Sequence, residues 1–135
     1  MRVLLADDQT KVRSALRLLL EQEPGFQVVG EAADATGLLL AAAEKADDVL
    51  LLDWELPGLP VAQLLRLLKY ERPLLKIIAM SSQPEAYRAA LEAGIQAFVS
   101  KSEQPEHVLA TIRGETAVLN CTNEEAANEN NTPQL

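Results

Sequence analysis

The stretch VLLLDWEL, residues 49–56, determines how the rest of the sequence is interpreted. Four aliphatic residues precede Asp53, a pattern typical of a strand that is covered on both faces rather than on one. A carboxylate at the end of such a strand is costly to bury without a cation or a hydrogen-bond donor beside it. We therefore expect Asp53 to lie at the rim of a parallel sheet, within reach of a ligand.

Similar apolar runs recur along the chain and alternate with segments of helical spacing. In the first such segment the apolar residues Val12, Leu16 and Leu19 fall on one helical face. Repeated strand and helix segments with doubly covered strands predict an α/β fold with a doubly wound five-stranded parallel sheet, and in the order 2-1-3-4-5 its first and third strands would be neighbours. The predicted strands are Val3–Ala6, Gln27–Glu31, Val49–Leu52, Lys76–Met80 and Ala97–Ser100.

Residues that favour helix ends mark the helix boundaries. Asp34 is a candidate N-cap of the second helix, Pro60 precedes the third, and Pro105 is suited to the first turn of the fifth. The sequence SQPE, residues 82–85, is a Ser-x-x-Glu capping box, which predicts that the fourth helix begins there. Gly94 is expected to end that helix.

The length and composition predict one domain followed by a tail. Residues 1–113 carry the strand and helix pattern, whereas residues 114–135 are rich in Asn, Glu and Thr and offer few apolar residues. We expect this tail to be the end of the last helix and a flexible linker, with no output domain in this chain.

The charge and hydropathy of the chain exclude some functions. The formal charge is −8, but four of the twenty acidic residues and none of the twelve basic ones lie in the tail, which leaves sixteen acids against twelve bases. This balance argues against direct nucleic-acid binding by this chain. Because no apolar run approaches a membrane span and no signal peptide is evident, we expect a cytoplasmic protein without membrane contact.

Polar residues follow four of the predicted strands: Asp7 and Asp8 the first, Asp53 the third, Ser81 the fourth and Lys101 the fifth. The carboxyl ends of parallel strands share one edge, so these side chains should converge. Clustered carboxylates repel one another unless a cation intervenes, and oxygen ligands at an open edge suit Mg²⁺. Asp53 is then the candidate nucleophile for an aspartyl phosphate, with Ser81 and Lys101 stabilising the phosphoryl oxygens.

Four motifs occur in sequence along the chain: VLLADD at 3–8, VLLLDWELPG at 49–58, KIIAMSS at 76–82 and ALEAGIQAFVSK at 90–101. Together they resemble the receiver domains of bacterial two-component response regulators, and the resemblance covers residues 1–113. The segment VVGEAAD at 28–34 is most similar to the LuxR/NarL-type subfamily.

The resemblance implies a flavodoxin-like receiver fold with strand order 2-1-3-4-5 and the function of a phosphoacceptor signalling domain. It would take a phosphoryl group from a sensor histidine kinase with Mg²⁺ as cofactor, form homodimers, and control transcription through a DNA-binding domain outside this chain. Such a domain catalyses its own phosphorylation and slow dephosphorylation, although it is primarily a switch. The residues implied are the phosphoacceptor Asp53, the Mg²⁺ ligands Asp7, Asp8, Asp53 and the Glu55 carbonyl, the catalytic Ser81 and Lys101, and the switch pair Ser81 and Phe98.

The sequence also departs from the family pattern and leaves alternatives open. Ser102 stands where many members have proline, and Glu55 and Gln83 occupy positions that tune dephosphorylation in the family. One alternative is a degenerate receiver that is never phosphorylated and acts as a protein-binding module. A flavin-binding protein of the same topology would need a hydroxyl- and glycine-rich loop where residues 7–9 stand. A phosphatase with Asp53 as nucleophile would need an acid two residues later, which Glu55 partly fits.

Overall fold

The computed structural model describes residues 1–95, 97–102 and 104–114 of the chain. The predicted tail lies, from residue 115 onward, outside the described residues. Strands alternate with helices throughout, as the sequence predicts. The elements are β1 (Arg2–Ala6), α1 (Thr10–Glu21), β2 (Gln27–Ala32), α2 (Ala35–Ala43), β3 (Val49–Asp53), α3 (Val61–Glu71), β4 (Lys76–Ser81), α4 (Ala86–Glu92), β5 (Ala97–Ser100) and α5 (Pro105–Arg113).

The five strands form one parallel sheet in the order β2-β1-β3-β4-β5, which confirms the predicted fold. The central strand β3 is buried along its whole length, because helices cover both faces of the sheet. The register pairs Ala6 of β1 with Leu52 of β3. Asp7 and Asp53 therefore occupy equivalent positions, one residue further on, at the carboxyl edge of the sheet.

Apolar side chains fill the space on both faces of the sheet. Alternate residues of β3 point to opposite faces: Leu50 and Leu52 pack with α2 and α3 residues, whereas Val49 and Leu51 pack with α1 and α5 residues. Burial of each such leucine contributes about 1.5–3 kcal/mol to folding. Within the described residues, no helix is both long enough and apolar enough to cross a membrane.

The helix ends agree with the sequence at three of the four marked starts. The side chain of Asp34 accepts a hydrogen bond from the Gly37 N–H at 2.8 Å, α3 begins after Pro60, and α5 begins at Pro105. The predicted capping box at residues 82–85 is wrong, because α4 begins only at Ala86 and its N-cap residue makes no side-chain hydrogen bond.

Backbone turns explain the late start of α4. The N–H of Ala86 donates to the Gln83 carbonyl at 3.1 Å, and the N–H of Tyr87 donates to the Pro84 carbonyl at 3.2 Å. These backbone turns satisfy two N–H groups at the start of α4 without a side-chain cap. The exposed Ser82 is therefore not needed as a cap.

Candidate functional site

Three carboxylates converge at the carboxyl edge of the sheet, as the sequence predicts. One oxygen from each of Asp7, Asp8 and Asp53 lies within 4.8 Å of the others. Asp7 and Asp53 are buried, because they end adjacent strands beneath the loops, whereas Asp8 is exposed. The site therefore holds two acids inside the protein and presents a third to solvent.

Lys101, which follows β5, brings an ammonium group to these acids. Its Nζ lies 2.8 Å from Asp7 Oδ2 and 3.3 Å from Asp53 Oδ1. The backbone N–H of Lys101 donates to the Ser81 carbonyl at 2.9 Å, so the strand ends hold the base of this side chain in place. Lys101 thus joins the cluster that its position after β5 predicts.

The electrostatics of the site follow from burial and from the count of charges. Burial raises the pKa of Asp53, and the neighbouring Asp7 carboxylate adds to this, against the opposing effects of the Glu55 N–H and Lys101. Burial alone would lower the pKa of Lys101, but its ion pairs with Asp7 and Asp53 outweigh that and raise the pKa. Lys101 therefore remains a cation at neutral pH. Ionisation of Asp53, in contrast, costs free energy in the folded protein.

Backbone hydrogen bonds orient the two buried carboxylates. Asp7 Oδ1 accepts from the Gln9 N–H at 2.9 Å, and Asp53 Oδ1 accepts from the Glu55 N–H at 3.0 Å. In addition, the guanidinium of Arg13 donates to the Asp7 carbonyl oxygen at 2.6 Å. Sequence reasoning missed Arg13, although its place on the first turn of α1, six residues after Asp7, could have indicated this contact.

The residues present fit a magnesium ion. All the side-chain donors are carboxylate oxygens at an open edge, the ligand type that Mg²⁺ prefers. The buried Oδ2 of Asp7 is paired with the Lys101 ammonium at 2.8 Å. One ammonium against three carboxylates leaves negative charge that a divalent cation would neutralise. The role of the Glu55 carbonyl as a further ligand stays a prediction.

Ser81 ends β4 at the same edge, but its hydroxyl is engaged with Glu55. Ser81 Oγ lies 3.0 and 2.9 Å from the two carboxylate oxygens of Glu55, and it accepts a hydrogen bond from the Gln83 N–H at 3.0 Å. The family resemblance pointed to Glu55 for its backbone carbonyl and for its position two residues after Asp53. The contact of its side chain with Ser81 depends on the loop after β3 and was not predicted.

Phe98, the predicted partner of Ser81 in switching, is half-buried on β5. Its ring meets that of Tyr87 on α4 edge to face, with centroids 5.7 Å apart and an interplanar angle of 82°. The strand register pairs Phe98 with Ala79 and Ser81 with Ser100, so Phe98 and Ser81 are two ladder positions apart. Their joint role in switching stays a prediction.

In the loop after Lys101, Ser102 stands at the position where the sequence resemblance implies proline in many members. The N–H of Ser102 donates to Ser100 Oγ at 3.3 Å, and the two hydroxyls lie 2.8 Å apart. A proline has no N–H to donate, so proline at position 102 could not form the backbone bond.

A doubly wound parallel sheet with buried acids and a lysine at its carboxyl edge defines a class of α/β domains that bind ligands at this edge. The family profile described as the response regulator receiver domain matches residues 3–113. The chain belongs to this family, whose members generally bind Mg²⁺ at such an acidic pocket.

Individual relatives place the chain within the family. The response regulator UvrY of Escherichia coli is 33% identical over 113 residues, which cover 82% of this chain and 52% of that protein. A LuxR-family response regulator from Aurantimonas is similar with a TM-score of 0.76 and 32% identity, over 84% of this chain and 82% of that one. RcsB from Salmonella enterica, bound to the rprA promoter with the phosphomimetic BeF₃⁻, gives a TM-score of 0.76 and 28% identity, over 85% and 61% of the two chains.

These similarities confirm the LuxR/NarL-type assignment and the role of the chain as a response regulator receiver domain. The chain spans about half or less of the length of the curated relatives that it matches.

Proposed function

We propose that this receiver accepts a phosphoryl group on Asp53 and changes conformation in response. The observation that supports the proposal best is the position of Asp53, which ends a buried strand next to Asp7 while Lys101 lies 3.3 Å from its Oδ1. Such a carboxylate is close to a cation, is oriented by a backbone N–H and lies at the ligand-binding edge. These are properties of a positioned nucleophile.

The transfer itself requires few groups. An oxygen of Asp53 attacks the phosphorus of a phosphohistidine or an acyl phosphate, a P–O bond forms, and the bond to the leaving group breaks with its electron pair staying on that group. When bound by Asp7, Asp8 and Asp53, Mg²⁺ supplies positive charge to the phosphoryl oxygens. Lys101, whose pKa is raised, stays protonated and donates to a phosphoryl oxygen.

The response to phosphorylation is a shift between two conformations. We propose that the Ser81 hydroxyl turns to the phosphoryl group and that Phe98 rearranges with it, which alters the surface of α4 and β5. On α4, Tyr87 and Leu91 are 43% and 41% exposed, a surface suited to a second copy of this chain. Phosphorylation can shift this equilibrium only by its difference in interaction free energy between the two states.

We propose a sensor histidine kinase as the phosphodonor and control of transcription as the output. An apolar cleft of about 310 Å³ between α1 and α5, lined in part by Val12, Leu16 and Val108, reaches Lys101 and would accept a helix of the kinase. DNA binding is proposed for a separate domain, since UvrY is a response regulator and RcsB was solved on a promoter.

Turnover of acetyl phosphate tests the proposal. The whole chain with Mg²⁺ should release inorganic phosphate from acetyl phosphate at a steady rate, because Asp53 is phosphorylated and water then hydrolyses the aspartyl phosphate to carboxylate and phosphate. Asp53→Asn should release none, and Lys101→Ala should be slowed by about 10²-fold or more, the usual cost of losing a charge that stabilises a transition state.

The degenerate receiver is the second candidate, and one observation favours it. The Glu55 carboxylate adds a fourth acid near the place that the phosphoryl group would occupy. If release by the wild-type chain equals that by Asp53→Asn, the domain is a protein-binding module that is not phosphorylated.

A further inference from the structure

The side chain of Glu55 makes a contact that the proposed function does not use. Both of its carboxylate oxygens lie within 3.0 Å of Ser81 Oγ, and the Gln83 N–H donates to the same hydroxyl oxygen. A serine hydroxyl has one proton to donate. While that proton is donated to Glu55, it is not available to an oxygen bound to Asp53.

The same residue is linked to the proposed phosphoacceptor. The backbone N–H of Glu55 donates to Asp53 Oδ1 at 3.0 Å, so Glu55 contacts both Asp53 and Ser81. Ser81 is only 1% exposed, whereas Glu55 is exposed. The carboxylate can therefore leave Ser81 for water without becoming a buried charge, while the hydroxyl stays at the site and needs another acceptor.

We propose that Glu55 is a positioning residue that acts through Ser81. In the unphosphorylated domain its carboxylate accepts the Ser81 proton, and an arriving phosphoryl group competes with Glu55 for that proton. Glu55 thereby favours the resting conformation and weakens the binding of a phosphoryl group. This inference rests on the proposed function, because it requires the phosphoryl group to be on Asp53 and Ser81 to donate to it.

Simple charge repulsion between Glu55 and the phosphoryl group would also weaken binding, so the two explanations must be separated. Repulsion acts whether or not residue 81 carries a hydroxyl. The proposed competition disappears when the hydroxyl is removed. A double-mutant cycle between Glu55 and Ser81 therefore distinguishes them.

Beryllofluoride binding in the presence of Mg²⁺ provides the readout. Trp54, which follows Asp53 and is the sole tryptophan in the sequence, reports binding through its fluorescence. Glu55→Ala should bind beryllofluoride about three- to tenfold more tightly than the wild-type chain, the size expected for the net contribution of one hydrogen bond. Glu55→Gln, which keeps a neutral acceptor, should fall between them. Glu85→Ala, which removes an acid near the start of α4, is the matched control and should change little.

The second half of the cycle uses Ser81→Ala as the parent. In that background Glu55→Ala should leave the affinity for beryllofluoride unchanged. Equal tightening in both backgrounds would show repulsion alone and overturn the proposal. No tightening in the wild-type background, with beryllofluoride still bound, would also overturn it and leave the proposed function intact. If the folded wild-type chain binds no beryllofluoride with Mg²⁺, the proposed function fails and the role of Glu55 fails with it.

Discussion

One pair of adjacent aspartates lies at the carboxyl edge of the sheet and another at the amino edge, and the two pairs have different surroundings. Asp7 and Asp8 follow β1 at the carboxyl edge, whereas Asp47 and Asp48 precede β3 at the amino edge. At the amino edge each acid has its own cation. At the carboxyl edge three carboxylates lie close together, and the ammonium of Lys101 contacts two of them.

The amino edge is a structural arrangement. Asp47 is buried, and Arg72 donates to its carboxylate at 2.9 Å, to its carbonyl at 2.8 Å and to the Ala42 carbonyl at 2.9 Å. Asp48 is exposed and pairs with Arg2 at 3.0 Å. Because these charges are balanced by the protein itself, this edge has no need of a ligand.

The difference shows that the dipeptide does not determine the role of the acids. Balanced charges stabilise the fold, whereas the excess of negative charge at the carboxyl edge weakens it and attracts cations. Mutations at the amino edge and at the carboxyl edge test this difference.

The largest effect is expected from removing the cation of the buried acid. Arg72→Met should lower the free energy of unfolding by about 3 kcal/mol, because Asp47 would keep a buried charge without a partner. Urea denaturation measures this, and Arg66→Met on the exposed face of α3 is the control, with a change below about 0.5 kcal/mol. Equal losses in the two variants would show that Arg72 has no such role.

The next effect concerns the carboxyl edge alone. Mg²⁺ at tenfold excess over its dissociation constant should stabilise the wild-type chain by about 1.4 kcal/mol, because the ion binds only the folded state. Asp8→Asn should abolish the resulting rise in melting temperature. Asp48→Asn, the matched change at the amino edge, should leave it unaltered. Loss of the Mg²⁺ effect in both variants would contradict the assignment of the ion to the carboxyl edge.

Removing one acid from the carboxyl edge should stabilise the protein. Burial raises the pKa of Asp53, so its ionisation costs stability as the pH rises from its ordinary value of 3.8 through the raised value. Asp53→Asn should therefore gain about 1 kcal/mol at neutral pH, a usual size when a functional charge is removed. The gain relative to wild type should shrink as the pH falls through the raised pKa towards 3.8. A pH-independent difference in urea denaturation would argue against this cause.

The smallest effect is expected at the exposed pair of the amino edge. The hydrogen bonds from Arg2 lower the pKa of Asp48 to about 2. The pair thus contributes to stability above the ordinary pKa of 3.8, and the contribution is lost as the pH falls towards 2. NMR titration of the Asp48 carboxyl should show the low pKa, and Arg2→Met should return it towards 3.8. An unchanged pKa in that variant would exclude Arg2 as the cause.

The fold and the membership of the acidic cluster could be predicted because both depend on short-range patterns. Uninterrupted apolar strands predict a parallel sheet, and a parallel sheet places the residues after each strand on one edge. Asp7, Asp53 and Lys101 therefore come together although they are far apart in sequence.

Contacts that depend on loop conformation could not be predicted. The Glu55 carboxylate contacts Ser81, 26 residues away in the sequence, and Arg72 contacts Asp47, 25 residues away. No motif in the sequence predicts either contact. The capping box failed for a related reason, because the residues before α4 form backbone turns and the helix begins only at Ala86. A local motif indicates which hydrogen bonds a side chain can form, but the conformation of the loops determines which of these bonds it forms.

The intact mass of the chain after incubation with Mg²⁺ and acetyl phosphate tests the central claim most directly. The account predicts that the wild-type chain gains the mass of one phosphoryl group, that Asp53→Asn gains none, and that EDTA prevents the gain. Unchanged mass of the wild-type chain, under conditions that modify a known receiver, would contradict the account, as would equal modification of Asp53→Asn.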